Sequence, residues 1–126
     1  MRLLLDTAVL IFAVECPARL SRRATSALQN PANILEFSTI SLAEIAIKVS
    51  LGKLQLTSDT ARQAVEDLGV RVLPFSAEHA FRLYGLPLHH RDPFDRQIIA
   101  QALEEDIPVV TSDDKFGLYK GLKVIW

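Results

Sequence analysis

Arg2-Leu3-Leu4-Leu5-Asp6 is a row of three leucines closed by a carboxylate. An unbroken apolar run of this length reads as a strand buried on both faces, because a strand with one wet face alternates apolar and polar residues. Residues 34–40, 70–73, 107–111 and 122–125 also read as strands, and helical patterns fall between them. Thr7 is placed to cap a helix over 8–14 that Pro17 ends. A helix over 19–28 puts Leu20, Ala24, Ala27 and Leu28 on one face and Arg19, Arg22 and Arg23 on the other. Ser41 with Glu44 three residues on has capping-box spacing for a helix over 42–51, which Gly52 stops. Ser58 or Asp59 opens a helix to Leu68 closed by Gly69, and Ser76 opens one to about Tyr84. Pro93 suits the first turn of a helix to about Glu105. Strands alternating with helices predict an α/β fold. The expected architecture is a three-layer α/β/α domain with a mostly parallel central sheet, a single domain over 1–126.

Composition narrows the class. With 126 residues, 49% of them hydrophobic, the chain can bury a core and is not intrinsically disordered. The lone Cys16 excludes a disulfide framework and a cysteine-based zinc site, and is expected to be inert packing. Fourteen Lys and Arg against fifteen Asp and Glu give a net charge of −1, with no polybasic membrane tail. The apolar N-terminus resembles a short signal peptide. However, Asp6 interrupts it, Glu15 stands where a small residue is wanted, and the run over 7–14 is too short to span a bilayer. A soluble cytoplasmic protein is the expectation.

The acids fall in a pattern. In open α/β sheets ligands bind beyond the carboxyl ends of the strands. Asp6 closes the first strand, and Glu44 is expected in the first turn of the helix after the second. Asp95 lies in the first turn of the helix over 93–105, and Asp113 follows the strand ending at Thr111. Four carboxylates distant in sequence are thus expected on one edge. Like charges gathered there destabilise the fold unless protons or cations intervene, and hard divalent ions with oxygen ligands are the natural partners. Such a cluster suits phosphodiester hydrolysis. Each acid also has a plainer reading. Asp6 or Asp95 can serve a helix N-terminus, Glu44 can pair with Ser41 or with Lys48, and Asp113 can be a turn residue like Asp114.

Taken together, Leu3-Leu4-Leu5-Asp6-Thr7, Ser41-Leu42-Ala43-Glu44-Ile45, Arg91-Asp92-Pro93-Phe94-Asp95-Arg96-Gln97-Ile98-Ile99-Ala100, Val109-Val110-Thr111-Ser112-Asp113 and the closing residues 119–126 resemble a PIN domain. The closer likeness is to the VapC-type toxins of type II toxin–antitoxin pairs. The resemblance implies a metal-dependent endoribonuclease whose acidic set, Asp6, Glu44, Asp95 and Asp113, holds Mg²⁺ or Mn²⁺ and carries the catalysis. Thr7, Thr111 or Ser112 then adds a hydroxyl near the metals or the phosphate. Asp92 either orients a ligand or water or caps the helix that begins at Pro93, the cap being preferred. The resemblance also implies an RNA substrate, a homodimer and a VapB-type antitoxin.

Arg91, Arg96 and Lys115, with Lys48 behind them, are candidates for phosphate contact. His89 and His90 are adjacent in a polar loop and cannot easily face one ion together, so a surface or substrate-contacting role is expected. No Ser-His-Asp or reactive-cysteine arrangement competes for the chemistry. A catalytically silent PIN-like module for RNA or protein, or a small-molecule phosphatase, are the other readings. Setting the four acids aside leaves fourteen basic residues against eleven acidic ones, so the net charge does not oppose an RNA substrate.

Overall fold

In the computed structural model, which describes Met1–Trp126, five parallel strands form one sheet in the order β3-β2-β1-β4-β5. β1 (Arg2–Leu5) is central, between β2 (Ile34–Ser38) and β4 (Val109–Val110). β3 (Arg71–Leu73) and β5 (Val124–Ile125) form the edges. The register sets Leu5 beside both Phe37 and Val110.

Side chains alternate across a strand, so the three leucines serve two cores. Leu4 packs with Ile98, Ile99, Val109 and Phe116 on one face. Leu3 and Leu5 pack with Val9, Phe37, Ile45 and Val110 on the other. All three are completely buried, which explains why the run does not alternate. α6 (Pro93–Glu105) covers the first face, with α5 (Ala77–Arg82) packed against it. α1 (Thr7–Glu15), α2 (Arg22–Gln29), α3 (Thr39–Ser50) and α4 (Ser58–Leu68) cover the second. The result is the three-layer α/β/α arrangement expected. No helix is long and apolar enough to cross a membrane.

Several boundaries differ from the sequence reading, each for a local reason. Asp6, not Thr7, caps α1: its Oδ1 accepts the Val9 N–H at 2.7 Å. The helix expected over 19–28 is divided. A 3₁₀ turn at Pro17–Arg19 comes first, and Ser21 then caps α2 by accepting the Ala24 N–H at 3.0 Å. α3 begins at Thr39, because Ser38 ends β2 and accepts the Ile40 N–H itself. Ser41 therefore lies buried inside the helix, there is no capping box, and Glu44 sits in the second turn rather than the first. Thr57 caps α4, and Gly69 ends it with a φ of 63°, a left-handed conformation that glycine adopts without a Cβ clash. Cys16 is exposed rather than packed.

The chain leaves β1 toward β2 and β3 on one side, then returns to lay β4 and β5 on the other. Connections diverge at the carboxyl ends of β1 and β4, which opens a crevice there. Asp6 follows β1 directly, and Thr111 follows β4.

Candidate active site

Asp6 sits at the bottom of this crevice, with only 4% of its surface exposed. Its backbone N–H donates to the Val110 carbonyl at 3.1 Å, so the neighbouring strand fixes its position. One carboxylate oxygen is the α1 cap, and the other accepts a short hydrogen bond from the Thr111 hydroxyl. Thr111 Oγ1 also accepts the Asp113 N–H at 3.0 Å. One buried hydroxyl thus ties the two strand ends together and aims the turn that carries Asp113. Asp113 Oδ1 accepts the Lys115 N–H, which starts a 3₁₀ turn at Asp114–Leu118. Its Oδ2 lies 2.7 Å from His90 Nε2. Asp114 is exposed beside it, so the turn presents Asp113 inward.

Asp95 enters from the first turn of α6, with Oδ2 3.1 Å from the same His90 nitrogen. Asp92 is the cap of that helix: its Oδ1 accepts the N–H groups of Phe94 at 2.8 Å and Asp95 at 3.1 Å. Glu44 enters from α3, buried to 6% exposure, with Oε2 2.7 Å from Lys48 Nζ. The i,i+4 pairing is therefore realised. Glu44 Oε1 is buried with no hydrogen-bond partner. Leaving such an oxygen unpaired costs about 1–3 kcal/mol.

The electrostatics show that these groups share one site. Burial, then the Asp113 and Glu44 charges, raise Asp6 to about 6, although its bonds to Thr111 and Val9 work the other way. Burial, then Asp92, Glu44 and Asp6, raise Asp95 to about 7, against the lowering influence of His90. Carboxylates held this far above their ordinary range resist being charged together. An all-oxygen donor set, one orphaned buried oxygen and two acids with raised pKa values fit a hard divalent cation, which would relieve all three.

The remaining sequence candidates fare differently. Thr7 Oγ1 donates to Ser41 Oγ at 2.9 Å, which joins α1 to α3. Ser112, Arg91 and Lys115 are exposed on the rim. Arg96 is not free to meet a phosphate. Its guanidinium donates to the carbonyls of Leu86, Pro87 and His90 at 3.2, 2.9 and 3.1 Å, and it staples the loop before α6. A lysine has one nitrogen, whereas Arg96 reaches Pro87 and His90 from one terminal nitrogen and Leu86 from the other. Arg96→Lys is expected to lower stability by about 1–2 kcal/mol, measured by urea unfolding.

His90 corrects the surface role expected of it. It is buried to 6% exposure and touches both Asp95 and Asp113. The three residues place a ligand atom each within 4.8 Å of one another. The pair His89-His90 is visible in the sequence, but nothing there distinguishes the buried ring from its exposed neighbour.

Comparison with known proteins adds context. The family model described as "PIN domain" matches residues 3–122. No curated protein sequence matches the chain. Three similar solved structures are VapBC2 of Rickettsia felis bound to a promoter DNA fragment, DNA-bound VapBC of Salmonella typhimurium, and VapBC-5 of Mycobacterium tuberculosis, a member of the VapBC family of toxin–antitoxin systems. Their TM-scores are 0.74, 0.71 and 0.61, at 21%, 18% and 21% identity. Each comparison covers 98% of this chain, and 97%, 96% and 96% of the matched chain respectively. At these identities the likeness is one of fold.

Proposed function

Since the chain belongs to the PIN domain family, we propose that it is a metal-dependent endoribonuclease acting as the toxin of a toxin–antitoxin pair. The observation that carries this reading is the convergence of Asp6, Glu44, Asp95 and Asp113 on one crevice, with Asp6 and Asp95 held above the ordinary carboxylate range. These four acids would hold Mg²⁺ or Mn²⁺. The bound cation supplies activation of a water for in-line attack and stabilisation of the charge that develops on the phosphate.

The chain's own residues do the rest. Thr111 holds Asp6 and the Asp113 turn in mutual register. Asp92 keeps the first turn of α6 formed, so that Asp95 points into the crevice. Lys48 neutralises one oxygen of Glu44 and leaves the other available. Arg91 and Lys115 on the rim would meet RNA phosphates, which gives affinity without sequence preference.

The VapBC names of the similar structures support an antitoxin partner. Between α1, α3 and α4 runs an apolar groove lined by Leu10, Ile11, Leu42, Ile45, Leu56 and Val65, where an apolar segment of such a partner would seat. A homodimer in the cytoplasm belongs to the same reading.

The test is an RNA cleavage assay beside a generic phosphomonoester. RNA is expected to be cut with Mg²⁺ or Mn²⁺, spared with chelator and cut again on readdition, with the monoester untouched. RNA left intact under every metal condition overturns the nuclease reading. Hydrolysis of the monoester alone points to a phosphatase.

A further inference from the structure

We infer that His90 is a positioning residue: its ring donates to Asp113 and stands against Asp95, keeping the two acids side by side for a cation it does not itself ligate. The inference rests on reading the cluster as a divalent-cation site. It is carried by the contacts of one side chain and its backbone. The ring's Nδ1 accepts the Asp92 N–H at 3.2 Å. A nitrogen that accepts carries no proton, so Nε2 is the donor nitrogen of the ring. That Nε2–H donates to Asp113 Oδ2, 2.7 Å away, and Asp95 Oδ2 lies 3.1 Å from the same nitrogen, off the N–H axis. One ring nitrogen thus sits against carboxylates delivered by different elements, bonded to the one on the turn after β4 and in contact with the one on α6.

The ring has no freedom to do otherwise. Its backbone N–H donates to the Tyr119 hydroxyl at 2.8 Å, and its carbonyl accepts from Arg96 at 3.1 Å. Phe116 stands edge-on to the imidazole with centroids 5.8 Å apart. Moving the ring proton to Nδ1, so as to offer a lone pair from Nε2, would leave the Asp92 N–H facing another N–H. Each carboxylate, by contrast, keeps lone pairs free on the side away from His90. Without this donor Asp95 and Asp113 would be like charges with nothing between them, and would separate. Groups that orient metal-binding carboxylates from outside are worth about 10- to 100-fold in metal affinity.

The test compares His90→Ala, His90→Asn and His90→Gln with the wild type, first by Mn²⁺ titration calorimetry in the absence of RNA. A glutamine amide places an N–H near the Nε2 position, whereas asparagine reaches only the Nδ1 position. His90→Ala and His90→Asn are expected to weaken Mn²⁺ binding by at least about tenfold, with His90→Gln recovering most of it. A residue that merely fills space would show no difference between Asn and Gln. ¹⁵N-resolved spectra of the wild-type imidazole are expected to show the Nε2–H tautomer before and after Mg²⁺ addition.

Loss of the Nε2 proton on Mg²⁺ binding would make His90 a ligand and overturn the inference. So would wild-type Mn²⁺ affinity in His90→Ala. A wild type that binds Mn²⁺ but leaves RNA intact removes the nuclease reading and not this one. A wild type that binds no Mn²⁺ removes both. If His90→Ala does not fold, the Gln variant and the wild-type spectra still decide.

Discussion

Asp6→Asn and Asp95→Asn are each expected to reduce metal-dependent RNA cleavage at least about a thousandfold, roughly 4 kcal/mol of transition-state stabilisation. The side chain keeps its size but loses the charge that would bind a cation, and one acceptor oxygen becomes an N–H donor, which in Asp6→Asn the Thr111 oxygen can accept. Asn caps helices about as well as Asp, so in Asp6→Asn the amide oxygen still serves the Val9 N–H and α1 keeps its start. Removing one of several crowded like charges also relieves repulsion. The melting temperature is therefore expected to stay level or rise while activity disappears, and circular dichroism with a quantitative RNA assay reads both. A variant that cuts RNA at the wild-type rate would remove that acid from the catalytic set. A variant that loses activity only because it unfolds would contradict the stability half of the expectation.

Removing the divalent cation is expected to make the protein less stable as pH rises from about 4 to about 8. Asp6 at about 6 and Asp95 at about 7 both lie above the ordinary carboxylate value of 3.8. Over that interval the folded protein keeps protons that the unfolded chain has released, so the folded state is the one penalised as they leave. The stabilising contribution of the two protonated acids is thus complete below about pH 4 and lost above about pH 7. Asp6 alone accounts for about 3 kcal/mol of this loss, and Asp95, discounted because water reaches its outer side, adds to it. A cation competes with these protons for the same oxygens. Millimolar Mg²⁺ is expected to raise the melting temperature by several degrees near about pH 8 and scarcely at all near about pH 5. Thermal unfolding at the two pH values, with Mg²⁺ or with chelator, checks this. An equal gain at both would mean that the cation binds somewhere other than on these acids.

The fold is legible where physics is local. Leu3-Leu4-Leu5 has to be a strand with a core on each side, and Gly69 and Asp92 mark helix ends by conformational freedom and capping chemistry. Reading fails where two local solutions are equally good. Ser38 and Ser41 can each cap a helix, and Glu44 can complete a box with one or pair with Lys48. The choice falls to β2, which runs beside β1 to Phe37 and turns directly at Ser38, leaving Ser41 to meet Thr7 across the core. Arg96 shows the same limit. An arginine among acids looks like a phosphate ligand until the loop before α6 folds back and presents three carbonyls to it.

Residue order alone was enough to set the alternation of strands and helices, the layers it implies and the four acids at strand-to-helix junctions. Periodicity, capping and strand-end placement depend on neighbours a few residues away, so they are written along the chain. Which groups touch was settled only by the folded chain. His90 became the donor to Asp113 with Asp95 beside it, and Thr111 became the link between Asp6 and the Asp113 turn. The Thr111–Asp6 bond joins residues 105 positions apart, and its partners meet only once β4 has come to lie against β1. A side chain's chemistry is written in its type, but its role follows from what the closed chain places within about 3 Å of it.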